Sequence, residues 1–151
     1  MLSRFDRNLY NSFSLNFFMK RILYADKELY DETSSLTERS LKLIERLKVN
    51  GFDVKVVDRL GILEFYPLGA SNISLFKDYE RRFNDLLKTI KDYDFFVSHL
   101  GVHSHKSLKS ILTSIPHLKI AIISDIPRHY ESKDRMGVFD YESPEIFNFL
   151  K

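Results

Sequence analysis

Residues 20–58 read KRILYADKELYDETSSLTERSLKLIERLKVNGFDVKVVD, and the succession of patterns inside this stretch decides the fold. RILYA (21–25) is a short apolar run closed off by Lys20 and by Asp26-Lys27-Glu28, as expected of a strand buried on both faces. From Ser34 to Val49, Leu36, Ser40, Leu43, Ile44 and Leu47 recur at helical spacing, with Glu38, Lys42, Glu45 and Lys48 on the other side. Ser34 or Ser35 is placed to cap this helix, and Glu38 completes an S-x-x-E box from Ser35. Gly51 stands where a C-terminal cap belongs. DVKVVD (53–58) returns to a strand pattern. Strand, helix and strand in so short a span form a βαβ unit, which implies parallel strands and a right-handed crossover.

Outward from this unit the alternation continues. Residues 59–74, with Gly61, Pro67, Gly69 and Asn72, read as a long loop with a short turn around ILEF (62–65). Phe76, Tyr79, Phe83, Leu86, Leu87 and Ile90 predict a helix over 75–91, and DFFVSHL (94–100) a third strand. A helix over 106–114, ended by Pro116, precedes a fourth strand, KIAIISD (119–125). GVFDY (137–141) is expected as a fifth, edge strand, and residues 145–151 as a short final helix. The class is therefore α/β, a doubly wound parallel sheet of about five strands between two helical layers. Residues 1–18 (MLSRFDRNLYNSFSLNFF) precede the first regular element, so the domain is placed at 19–151. The prefix reads either as a tail or as a segment whose Phe5, Tyr10, Phe13, Phe17 and Phe18 dock on the domain or a partner.

Composition narrows the function classes. The chain has no cysteine, which excludes thiolate nucleophiles and Cys-ligated zinc or iron–sulfur sites and suits a cytoplasmic setting. A net charge of +2 gives no nucleic-acid footprint. No apolar run reaches the ~20 residues that a membrane crossing needs. Asn8, Asn11 and Asn16 interrupt the N-terminal apolar residues, unlike a signal peptide.

Four phrases carry a resemblance. KRILYADKE (20–28), YDFFVSHLG (93–101), IAIISD (120–125) and GVFDYESPE (137–145) resemble, in order and setting, the strand ends of response-regulator receiver domains. The likeness runs from Lys20 to about Ile146, with an enlarged segment after the second strand. It implies a flavodoxin-like, three-layer αβα fold and a pocket at the carboxyl ends of the strands, where ligands bind in open α/β sheets. In that family an acidic pair holds magnesium, an Asp accepts a phosphoryl group, a hydroxyl senses it, and a Lys before a Pro neutralises it. Carried onto this chain, the pocket comprises Asp26, Glu28, Ser98, His99, Ser124 and Ser143. Asp26 stands in the acidic pair, but its neighbour is Lys27, with Glu28 one further on. His99 falls at the acceptor position beside Ser98. Ser124 supplies the hydroxyl, and Ser143-Pro144 replaces Lys-Pro. Without the Asp no aspartyl phosphate can form, so the resemblance implies a degenerate pseudo-receiver with no required cofactor and at most a weak magnesium site.

Other constellations each admit a plainer reading. His99, His103 and His105 make an H-x3-H-x-H cluster that three imidazoles could turn into a zinc site; the plainer reading is a polar loop. Asp26, Glu28, Asp58 and Asp125 gather near strand ends, either to hold a divalent cation weakly or simply as solvated ends. Ser98 and Ser124 lack a G-x-S-x-G elbow, and neither G-x-G-x-x-G nor a Walker sequence occurs. Arg128, Lys133 and Arg135 are a faint candidate for an anion or partner site. The reading adopted is a receiver-like signalling module, not an enzyme, that contacts another protein or a second copy of itself through a face containing Ser124 and Tyr141. It binds neither nucleic acid nor membrane. The rival is a small metal- or ligand-binding enzyme of the same topology built on the 98–105 loop.

Overall fold

The computed structural model describes residues 19–26, 35–57, 73–99, 105–125 and 135–151. In chain order these form β1 (Arg21–Ala25), α1 (Ser35–Val49), β2 (Asp53–Val56), α2 (Ile73–Ile90), β3 (Phe95–His99), α3 (His105–Ser114), β4 (Lys119–Ile123), β5 (Met136–Phe139) and α4 (Glu145–Phe149). All five strands are parallel, in the order β2-β1-β3-β4-β5. That is the doubly wound order whose switch point lies between β1 and β3. The expected α/β class and strand number hold. No helix among the described residues is long and apolar enough to cross a membrane. The prefix 1–18 and the loop at 59–72 lie outside the described residues.

The pleat explains the two cores. Leu23 and Ala25 of β1, Phe96 of β3, and Ile120 and Ile122 of β4 pack against Leu86 and Ile90 of α2 and Leu108, Ile111 and Leu112 of α3. Their strand neighbours Ile22, Tyr24, Phe95, Val97, Ala121 and Ile123 face the opposite way, onto Leu43, Ile44 and Leu47 of α1 and Ile146 of α4. Strands covered on both faces need continuous apolar runs, which β1, β3 and β4 supply.

Two helix ends show how local chemistry sets the boundaries. Gly51 has φ +91°, its N–H donates to Lys48 O at 3.0 Å, and Phe52 N–H donates to Leu47 O at 3.2 Å. This is the paired-bond helix stop in which a left-handed residue reverses the chain, and Phe52 and Leu47 complete it by entering the same core. At the end of α3, Arg135 donates to the carbonyls of Leu112 (2.9 Å), Ile115 (2.6 Å) and Leu118 (3.0 Å). Arg135 is thus committed to helix-end carbonyls, which corrects its reading as an anion site. Arg128 and Lys133 lie outside the described residues. Strand ends fall short of the sequence reading: β2 stops at Val56 and β5 at Phe139, so Asp140 and Tyr141 belong to the loop before α4. The capping side chains of Ser34 and Ser35 are not among those described.

A Cβ at position 51 would meet no atom within 4 Å, so Gly51→Ala tests backbone conformation alone. The substitution is expected to cost about 1–2 kcal/mol in urea unfolding with an unchanged m-value, and Gly51→Asn distinctly less.

Candidate functional site

The carboxyl ends of β1 and β3 flank the switch point, and the side chains that meet there come from four elements. His99, the last residue of β3, is 6% exposed. Its Nδ1 lies 2.8 Å from the Tyr141 hydroxyl and its Nε2 2.7 Å from the Tyr24 hydroxyl. Both phenol rings pack against the imidazole, with centroids 5.1 and 5.3 Å away. Asp26, directly after β1 and 1% exposed, accepts a short hydrogen bond from the Ser40 hydroxyl of α1. Its Oδ2 lies 3.5 Å from His99 Nε2. A carboxylate beside Nε2 favours the proton on that nitrogen. Nε2–H then donates to the Tyr24 oxygen, and the Tyr141 O–H donates to Nδ1.

Arg39, one residue before Ser40, closes the network from outside. Its guanidinium stacks 4.2 Å over the Tyr141 ring. It also pairs with Asp125 just after β4, with Asp140 at 3.4 Å and with Glu142 at 3.2 Å. Exposed pairs of this kind contribute on the order of 0–1 kcal/mol each, so their weight is positional. They fix the start of α1 to the ends of β4 and β5. Arg46, two turns on, donates to the Tyr141 carbonyl at 3.0 Å.

Electrostatics follow from burial. Desolvation drives the His99 pKa down to about 3, against a smaller upward pull from Asp125. Burial raises Tyr141 to about 12 and raises Tyr24 further, with the Asp26 carboxylate adding to both shifts. At neutral pH the cluster is therefore a neutral imidazole between two protonated phenols. The phenols hold their protons tightly, and the imidazole resists taking up a second one. It presents no free imidazole nitrogen to a metal or a phosphoryl group.

The positions singled out in the sequence separate on this map. Asp26 and His99 come together. Ser98 is fully buried, and strand alternation turns it to the face opposite His99. Ser124, 5% exposed, follows β4, and its N–H donates to Phe139 O. Ser143 lies one residue before the Pro144 cap of α4, and its hydroxyl accepts from the Glu145 N–H at 3.3 Å. Glu28, Asp58 and His103 lie outside the described residues. His105 opens α3 and is exposed. Among the described residues no three metal-ligating side chains are grouped to hold an ion. Tyr24, Ser40 and Arg39 are the members that sequence reasoning missed. The available signals were a hydroxyl inside the apolar stripe of α1 and a phenol inside the run of β1.

No protein family and no curated protein matches the chain by sequence. Solved structures do match. One is a response regulator receiver domain protein from Bacillus halodurans C-125, with 13% identity and a TM-score of 0.51 over 88% of this chain and 97% of that one. The fold is receiver-like. A fragment of a putative lipoprotein from Peptoclostridium difficile 630 matches equally well, with 16% identity and a TM-score of 0.51 over 87% of this chain and 93% of that one. At such identities the likeness concerns architecture, and function has to be argued from the site.

His99 binds its proton far less readily folded than unfolded, so below its ordinary value of 6.5 the unfolded state takes up a proton that the folded state refuses. Stability therefore falls as pH drops from 6.5 towards about 3. The loss by about pH 4.5 should be about 2–3 kcal/mol at 1.36 kcal/mol per unit. Urea unfolding of the protein and of His99→Gln across this range checks it, since the variant should lack that component of the slope.

Proposed function

We propose that this chain is a receiver-shaped signalling module that works without aspartyl phosphate, through contact with another protein. The observation that carries the reading is the closed Tyr24–His99–Tyr141 bridge at the switch point. Phosphoryl transfer of the receiver type requires a carboxylate at the end of the central strand, and that place holds an imidazole with both nitrogens engaged. Asp26, the one acid of the expected pocket among the described residues, is tied to Ser40 and buried. A pocket filled by its own side chains supports a binding role over a catalytic one.

Tyr141 and Ser124 are 6% and 5% exposed, so a partner would meet what covers them and not the hydroxyls themselves. For Tyr141 that cover is Arg39 with Asp125, Asp140 and Glu142, a mixed-charge rim whose pairs a partner can exchange for its own. The absence of cysteine and the charge balance fit such a module working in the cytoplasm.

The test is to incubate the full chain with magnesium and acetyl phosphate, and separately with magnesium and beryllofluoride. Intact mass and amide NMR spectra are then recorded. The expected result is no phosphoryl adduct and no shift at Asp26, Ser98 or His99. A stoichiometric adduct, or saturable shifts centred on Asp26 and His99, would overturn the reading in favour of a phosphorylated pocket.

A further inference from the structure

Edge strand β2 uses only half of its backbone. The parallel ladder with β1 engages alternate residues: Asp53 N–H donates to Lys20 O at 2.9 Å, and Val57 N–H donates to Tyr24 O at 2.8 Å. In a parallel ladder successive residues point their N–H and C=O groups to opposite sides. Val54 and Val56 therefore turn theirs away from β1, and among the described residues β2 is the last strand of the sheet. Apolar surface lies beside this edge. Val54 is partly buried against the α1 layer, Val56 is 37% exposed and Leu41 is 54% exposed. Leu41 sits on the β2 flank of α1, because Arg39, about 200° away around the helix, reaches Asp125 and Asp140 on the β4–β5 side.

An open edge accepts another strand, and side chains decide which one. Asp53 and Lys55 are both exposed and, two residues apart, share one face of β2; Asp53 Oδ2 also lies 3.7 Å from Arg21 Nε of β1, a half-exposed pair that leaves the carboxylate open to a second cation. We propose that the β2 edge binds a second copy of this chain, the two β2 strands pairing antiparallel about a twofold axis at Val54. This register sets Val54 against Val54 of the second copy, where each offers the other an N–H and a C=O. It also sets Asp53 opposite Lys55 of the second copy, twice by symmetry, so two opposite-charge cross-strand pairs form. Centring on Lys55 instead would bring two ammonium groups face to face. The valines of both copies would pack on the α1 side, where Leu41 and Val56 leave apolar surface uncovered. At the other edge, β5 is MGVF and has no charge to select a register.

The contact is short and belongs to the weak, concentration-dependent class. It is separate from the His99 pocket, so its failure leaves the phosphorylation-free reading untouched. Sedimentation velocity of the full chain over a concentration series tests it. A monomer–dimer equilibrium that weakens with added salt is expected. Asp53→Lys and Lys55→Asp should each weaken association about tenfold, as attraction becomes repulsion at both symmetric pairs. The double exchange Asp53→Lys/Lys55→Asp should restore it, which also separates loss of the contact from loss of the fold. A monomer at every concentration overturns the proposal. So does a dimer indifferent to the single inversions, or one that the double exchange does not restore.

Discussion

His99 can remain buried only while both of its nitrogens have partners and its proton count stays at one. An unpaired ring nitrogen in an apolar site costs about 1–3 kcal/mol, and an unpaired imidazolium far more. The two phenols meet the first condition from opposite sides, Tyr24 from β1 and Tyr141 from the loop after β5. Much of the surrounding structure serves to keep them there. Arg39 stacks on Tyr141, Arg46 holds its carbonyl, and Ser40 ties Asp26 to α1. The ends of β1, β3, β4 and β5 and the first half of α1 are thereby linked through one imidazole.

The architecture was legible because its signals are local and redundant. ILYA, FFV and IAII are apolar runs at the centres of β1, β3 and β4, a pattern that a strand covered on both faces produces and an amphipathic helix does not. Gly51 marked its helix end correctly because only a residue tolerant of positive φ closes that turn cheaply. Strand ends were overextended where apolar composition outlasts pairing. Val57 still donates to Tyr24 after β2 has ended, so hydrophobicity and ladder part company by a residue or two.

The site was legible only in part, and the reason is geometric. Position counting along β3 placed His99 at the critical strand end, but its neighbours come from far along the chain. Tyr24 is 75 residues away and Tyr141 42. Within β1, Tyr24 looks like one more core residue, and Ser40 looks like a tolerated polar residue in a helical stripe. Arg135 erred the other way: a cation in a polar segment reads as surface, and only the folded chain sets three carbonyls before it. Pleating separated Ser98 from His99, although sequence adjacency suggested one pocket.

The identity of residue 99 has a further consequence for how the crevice is filled. An open α/β sheet leaves a gap at its switch point that must be occupied by ligand, water or side chains. A carboxylate at position 99 would lie beside the buried carboxylate of Asp26, against two aromatic rings. Two such charges at close range disfavour ionisation unless a cation joins them. A neutral imidazole removes that repulsion and offers one donor and one acceptor, which two phenols can match without any ion. The ring closes the crevice using only groups that the chain itself provides. Tyr141 and Arg39 then join these strand ends to α1, so a displacement of either one is felt at the other through the stacked ring and the ion pairs around it.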